Sequence, residues 1–488
     1  MKKTIYIIAS ALLLTLTACD EFTDITPKGK NMLETTDQLE LLLNGDLGYN
    51  SYYDFAQMTG DILYAYSPVA STINAEKKSK NSIVWTWDED MDKLAELTTS
   101  DYTYSDAYNM IGAIANPILS RLEEAEGTEA KKNQLKAEAL TLRAANLYFL
   151  VNKFAKAYNP STAASEDAIP VYLEDDDISE SAPMWTVQQV YDQIVADADA
   201  AEALKALPAE NINRSRVNNA CPMAVKAMAL LAMQDYDGAE SAAKASLAYN
   251  SAVTDYNSEE YTYYMEGVMY PMFGLPAMTY PTINRKLYAC KEDNWQTVSM
   301  LMLESISPEA EARFEPGHAV QDRVATIDLM YDNMMKGSSL MGTGLEWRCA
   351  YDMMSGESYW NNYGFKTTHM YLIVAECEIE KGNFDAAMEA LDAIRVCRIN
   401  PAVYAPLKGT VSNKADAIAH LKQTSHGENI FSIYNFINRK RWNQISDYKE
   451  TFTKDLFGTI YTLTPDSKLW VFPFPTNAFM NENVHHNY

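Results

Sequence analysis

"KAEALTLRAANLYFLVNKF", residues 136–154, is the stretch on which the fold turns. Within it Leu140, Ala144, Leu147, Val151 and Phe154 recur at alternating steps of four and three. That is the interval at which side chains return to one face of an α-helix, so the stretch predicts a long amphipathic helix. Arg143 sits inside its apolar run, between Leu142 and Ala144. A structural role is expected there, the guanidinium satisfying carbonyls or an acid between neighbouring helices. The same periodicity runs through "YSDAYNMIGAIANPILSRLEE" (104–124) and "TVQQVYDQIVADADAAEAL" (186–204). Thr186 stands where an N-cap belongs.

Working outward, two later stretches align with each other: "ACPMAVKAMALLAMQDYDGAESAAKASL" (220–247) and "TTHMYLIVAECEIEKGNFDAAMEALDAI" (367–394). Ala227 falls on Ala375, Leu231 on Ile379, Tyr236 on Phe384, Asp237 on Asp385 and Ala239 on Ala387. A small residue, then an aromatic after the turn, is how tetratricopeptide-type helical hairpins pack: the small side chain permits close approach and the ring fills the gap. Gly382-Asn383 supplies the left-handed turn that stops the first helix. The fold class predicted is mostly α, with about four such helical hairpins and long irregular insertions. Residues 48–103 and 256–366 break the helical pattern and are rich in Tyr, Trp, Gly, Asn and Pro. Loops on a rigid scaffold are where function collects.

Composition narrows the function. A formal charge of −26 repels phosphate backbones, so nucleic acid is not a partner. The 32 Tyr and 8 Trp suit interfaces and sugar stacking, and packing as well. Cys221, Cys290, Cys349, Cys377 and Cys397 show no CxxC spacing, so neither a disulfide framework nor a zinc ribbon is encoded; most are expected to be small core residues. "EDDDISE" (174–180) lacks the Gly and terminal Glu spacing of a calcium loop and reads as a solvated turn. HExxH, P-loop, GxSxG and dinucleotide fingerprints are absent, and no metal or cofactor is implied. His485-His486 is expected to fray at the chain end. A glycosidase, needing only two carboxylates at a set distance, and a scaffold binding only protein stay open as alternatives.

The N-terminus reads as an export signal: Lys2 and Lys3, then an apolar run from Ile5 to Thr17 too short to span a bilayer. Leu16-Thr17-Ala18-Cys19 resembles the lipobox of bacterial lipoproteins, in which the cysteine is acylated and becomes the new N-terminus. On that reading residues 1–18 are removed and Cys19 is the lipid anchor, the chain's only hold on a membrane. Asp20, Glu21 and Asp24 resemble the surface-export signal of Bacteroidetes lipoproteins.

With these residues in place, the chain resembles the SusD/RagB-like nutrient-binding lipoproteins. "CDEFTDITPKG" is similar to the family's mature start, "AEALTLRAANLYFLVNKFAKAYNP" to its characteristic helix, with Arg143-Ala144 and Tyr148-Phe149 in place, and "KLWVFPFPTNAFMNENVHHNY" to its ending. "ENIFSIYNFINRKRWNQISDY" keeps Glu428, Arg441, Trp442 and Asp447 of a fuller family pattern. This segment and the C-terminal one are expected to support the fold. The resemblance implies one SusD-like domain over 19–488: N-terminal loops 20–103, helical repeats 104–255 and 367–447, an insertion 256–366 and a C-terminal segment 448–488. It implies a non-catalytic lid on a SusC-like TonB-dependent transporter in the outer membrane, facing the cell exterior, whose loop face captures an oligosaccharide or, alternatively, a peptide. A glycan site mixes rings for C–H faces with amides, acids and Arg for hydroxyls. The stacking candidates are Tyr52, Tyr53, Tyr66, Trp85 and Trp295. The hydrogen-bonding candidates are Asp61, Asn81, Arg285 and Asn294, with Trp87 assigned to the core.

Overall fold

A computed structural model describes residues 33–44, 53–64, 69–177, 179–213, 215–258, 262–266, 279–283, 290–296, 298–300, 304–319, 321, 359–430 and 432–488. Its centre is the helix Glu129–Phe154, capped by Thr128, whose side chain accepts from the Lys131 N–H. From Ala137 to Phe154 every residue is buried, on all faces and not only along the predicted stripe. A helix enclosed all round must satisfy its polar side chains internally. Each of these does so: Asn146 donates to the Leu142 carbonyl and Asn152 to that of Tyr148, Glu138 meets Arg216, and Lys153 lies 2.6 Å from Asp101. Arg143 takes the expected structural place. Its Nε and Nη2 donate to the two Asp197 oxygens at 2.7 and 2.8 Å across to the helix Val187–Leu204, and Nη1 reaches Glu174 and Asn116.

Around this centre the helices come in consecutive packed pairs. Val187–Leu204 lies on the central helix, Cys221–Ala232 on Tyr236–Tyr249, and Thr367–Glu380 on Phe384–Arg395, while Lys414–Asn429 and Ile433–Trp442 follow. Thr186 caps its helix through a reciprocal pair with Gln189. Gly382, at φ +79°, ends the helix before Phe384. Ala227, Ala239, Ala375 and Ala387 are all fully buried, as close helix approach requires.

The N-terminal region differs from the irregular loops expected. It carries the short helices Thr36–Leu43, Tyr53–Met58, Val69–Ile73, Lys80–Thr86, Met91–Leu97 and Tyr102–Asn109, several closed by side-chain caps at Thr35, Ser79, Asp90 and Asp101. Helices of five to eight residues are too short for a 3.6-residue period to declare itself. The predicted helix 104–124 also deviates, widening to a π-helical turn over Met110–Ala115 before Asn116–Arg121. Pro117 lacks the N–H of an i→i−4 bond and its ring crowds the carbonyl four residues back, which such a bulge relieves.

The chain end is a second correction. His485 lies 3.1 Å from Asp167, and His486 Nδ1 accepts from the Phe474 N–H. The Asn487 amide donates to the carbonyls of Phe154 and Ala168. The final residues are tied to the end of the central helix and do not fray. Of the cysteines, Cys221 and Cys377 are buried and Cys290 and Cys397 half-buried, and Cys349 lies outside the described residues. The acidic turn is not purely solvated: Asp176 and Asp177 accept from turn N–H groups, and Glu174 reaches Arg143.

Candidate functional site

The two segments set apart by their aromatic content meet in one place. The strand Ile62–Tyr64 pairs antiparallel with Glu304–Ile306, Ile62 opposite Ile306 and Tyr64 opposite Glu304. The Ser307 N–H extends the contact to the Asp61 carbonyl at 2.9 Å. Val298–Met300 pairs with Tyr359–Asn361, drawing together two distant parts of the insertion. Beneath, Phe55 packs edge-on against Tyr363 and Phe436.

What fixes this junction to the helices is charge. Asp61, 3% exposed, lies 2.8 Å from Arg439 and accepts from the Asn435 amide at 2.6 Å. Burial alone would raise the Asp61 carboxyl, but the Arg439 guanidinium outweighs it and holds the group below its ordinary value. Asp54, at the start of the neighbouring helix, is likewise drawn down to about 2, burial being overcome by Lys153 and Lys80. On the insertion's other root, Arg398 bonds Glu292 and Glu428 together, and the Thr254 N–H donates to Glu292. Arg216, Arg398, Arg439 and Asn435 are the residues that sequence reasoning missed here. The lone Arg in an apolar run that singled out Arg143 has no counterpart here: Arg216 lies in "NRSRVNN" (213–219), Arg398 in "RVCRIN" (395–400) and Arg439 in "NRKRW" (438–442), among other charged and polar residues.

Four of the site candidates are corrected by their burial. Trp85 is 0% and Trp295 1% exposed, so neither ring has a face to offer a ligand. Trp85 packs against Leu456 under the hairpin Phe452–Leu456/Thr459–Leu463. Trp295 stacks on Phe149 and donates Nε1–H to the Ser215 carbonyl. Asn294 is enclosed among amides, its Oδ1 accepting from Asn250 at 2.8 Å and Asn218 at 3.3 Å. Asp61 is spent on Arg439. Trp87 is in the core as expected, its Nε1–H on the Met58 carbonyl. Asn81 is half-buried in the helix Lys80–Thr86. Tyr53 opens the helix Tyr53–Met58, though its side chain lies outside the described residues, as do Cys19, Tyr52, Tyr66 and Arg285. Tyr66 follows two residues after Tyr64, the residue paired with Glu304.

Among the described residues no cluster of three His, Cys, Asp or Glu is placed to hold a metal ion. None of their helices is long and apolar enough to cross a membrane. Consecutive helix pairs carrying an insertion pinned by buried ion pairs define a helical scaffold with a loop-built face.

Residues 24–232 match the SusD-like family model described as "Starch-binding associating with outer membrane". No curated protein sequence matches. In fold, the chain is similar to a SusD superfamily protein from Bacteroides thetaiotaomicron VPI-5482, at TM-score 0.65 and 14% identity over 93% of this chain and 100% of that one. A putative sugar binding protein from Bacteroides vulgatus ATCC 8482 aligns at TM-score 0.64 and 16% identity, over 94% and 99%. A SusD-like carbohydrate binding protein from the same strain aligns at 0.61 and 16%, over 93% and 98%. Similarity in sequence to the SusD-like family model thus covers residues 24–232, and similarity in fold to SusD-like structures covers nearly the whole chain.

Proposed function

We propose that this chain is a surface lipoprotein that captures an oligosaccharide and delivers it to a SusC-like TonB-dependent transporter, without chemistry of its own. The observation that carries this reading is the strand pair Ile62–Tyr64/Glu304–Ile306, which puts the two Tyr- and Trp-rich segments side by side on one scaffold. The family model's description and the sugar-binding relatives support the ligand class. With Trp85, Trp295, Asn294 and Asp61 committed to packing, the ligand contacts proposed are Tyr52, Tyr53, Tyr66, Asn81 and Arg285. Residues 1–18 are proposed as the leader and 19–488 as one SusD-like unit anchored at Cys19, facing outward.

Two measurements test it. A glycan and peptide array probed with residues 20–488 should light on oligosaccharides and leave them uncleaved. Binding to peptides alone, or the appearance of new reducing ends, overturns the reading. For the anchor, Cys19→Ala should move the protein from the membrane fraction to the soluble one, since acyl chains survive a high-salt wash that strips charge-held proteins. A Cys19→Ala protein that stays with the membrane after that wash contradicts it. The native protein should co-purify with a large β-barrel through an interface of at least about 1,000 Å².

A further inference from the structure

Where three helix ends meet, the surface holds a cavity of about 120 Å³. It lies between the C-terminal end of the helix Val187–Leu204, the start of Cys221–Ala232 and the end of Tyr236–Tyr249. None of its lining residues comes from the two aromatic-rich segments, 48–103 and 256–366. Its volume is several times the share of one liquid water, about 30 Å³. An open-sided cavity of that size seats one sugar ring and not a chain.

Its wall is divided in kind. Leu207, Pro222 and the Tyr249 ring make an apolar side, and Glu202, Lys205 and Asn219 a polar one. Tyr249 is 39% exposed, yet its ring is held in place. Lys205 Nζ donates to the Tyr249 hydroxyl at 2.9 Å, that hydroxyl donates to Glu202 Oε1 at 2.9 Å, and Lys205 donates to the same oxygen. An ammonium 2.9 Å from the hydroxyl and 5.5 Å from the ring centre stands out beyond the hydroxyl, so it covers neither face of the ring. Hydrogen-bonding capacity is left over beside the ring. Glu202, with 19% of its side chain exposed, keeps Oε2 without a partner among the described residues, and so does the half-buried Asn219 with its side-chain amide. The backbone adds a second observation. Lys205 ends its helix at φ +48°, the left-handed conformation that a helix end ordinarily gives to Gly. An exposed ion pair contributes too little to stability to account for a long side chain kept there. Strain retained to fix an exposed ring beside an acid points to a use for the pair.

We infer that this cavity is a second carbohydrate site, one that takes a single neutral pyranose. The C–H face of the sugar lies on Tyr249, a hydroxyl donates to Glu202 Oε2, and another accepts from the Asn219 amide. Lys205 is a positioning residue, acting through Tyr249 and Glu202. A neutral sugar fits better than an acidic one, because the Lys205 ammonium is already committed to Glu202 and the chain as a whole carries −26. The site is separate from the loop junction, so its failure leaves oligosaccharide capture there untouched.

The test is ligand-observed NMR titration of the purified full chain with the methyl α-pyranosides of D-glucose, D-galactose and D-mannose, and with D-glucuronate as the anionic counterpart. At least one of the neutral sugars should bind in the millimolar range, at least about threefold more tightly than glucuronate. Tyr249→Ala, at an exposed position, should weaken that sugar at least about fivefold. Lys205→Gly relieves the left-handed residue, so its urea midpoint should equal or exceed the parent's while its affinity falls at least about threefold. That opposition separates positioning from a merely structural role. The Tyr52→Ala/Tyr66→Ala protein should keep the monosaccharide signal. A signal lost there and kept in Tyr249→Ala belongs to the loop face and overturns this site while leaving oligosaccharide capture standing. Absence of binding by all three neutral sugars, or affinity indifferent to both Tyr249→Ala and Lys205→Gly, also overturns the site. Glucuronate binding more tightly than the neutral sugars overturns the ligand class.

Discussion

Replacing Arg398 by Ala is expected to cost about 3–5 kcal/mol of folding stability, the usual consequence of stranding buried charge. The side chain is 1% exposed. Its Nε lies 2.6 Å from one Glu428 oxygen, Nη2 reaches Glu292 at 3.0 Å and Glu428 at 3.2 Å, Nη1 donates to the Thr254 carbonyl, and the guanidinium covers the Tyr256 ring. Without it Glu292 and Glu428 share one enclosed space, with Lys366 4.0 Å from Glu428. Urea unfolding midpoints at pH 7 measure the loss. A variant within about 1 kcal/mol of the parent would show that the cluster contributes only as an exposed pair would.

The same cluster fixes the sign of a pH effect. Burial would raise the Glu428 carboxyl, but Arg398 and then Lys366 outweigh it and hold it below the ordinary glutamate value. A group lowered on folding contributes stability that is fully present above its unfolded pKa, about 4.3, and is lost as pH falls through the lower folded value. In the Arg398→Ala protein the carboxylates are buried without that cation, so acid relieves them. The gap between parent and variant should therefore narrow between about pH 6 and pH 4. A gap that widens on acidification contradicts the assignment.

The fold was legible where periodicity had room to act. The stripe through Leu140, Leu147 and Phe154, the Thr186 cap and the Gly382 stop follow from spacing and turn chemistry, and all three are in the structure. What pattern could not convey is which faces are covered twice. Glu138, Arg143 and Lys153 give the central helix a polar face on paper, yet each is buried because its partner, Arg216, Asp197 or Asp101, arrives from a distant segment. Strands of three residues, such as Ile62–Tyr64, carry too little alternation to announce themselves, and so the pairing that defines the junction was invisible. The site choice failed for a related reason: rings and amides that suit a sugar suit a protein interior equally well. Only the fold distinguishes Trp295, over Phe149, from a ring left for a ligand.

The two tryptophans differ in what surrounds them, and that difference gives the second large effect. Trp295 lies parallel to Phe149 at 6.1 Å and 12°, meets Phe365 edge-on at 5.2 Å, and donates Nε1–H to Ser215 at 3.1 Å. Its carbonyl accepts from the Asn361 amide at 2.8 Å, and a Cβ on Gly364 would come within 1.9 Å of that oxygen. Trp295→Ala therefore opens a cavity at the root of the insertion and strands the Ser215 carbonyl, and should cost about 3–5 kcal/mol. Trp85 is as enclosed, but its indole N–H has no partner among the described residues. Removing it takes away an unpaired donor along with the packing, which offsets about 1–3 kcal/mol of the cavity cost. Trp85→Ala should accordingly be the milder change by at least about 1 kcal/mol in urea unfolding, with equal slopes for both variants. In each, the folded fraction should bind the oligosaccharides found on the array as the parent does, because neither ring reaches the surface. A Trp85→Ala protein less stable than Trp295→Ala would sink the account of the indole, and a folded variant that binds more weakly would return that ring to the ligand face.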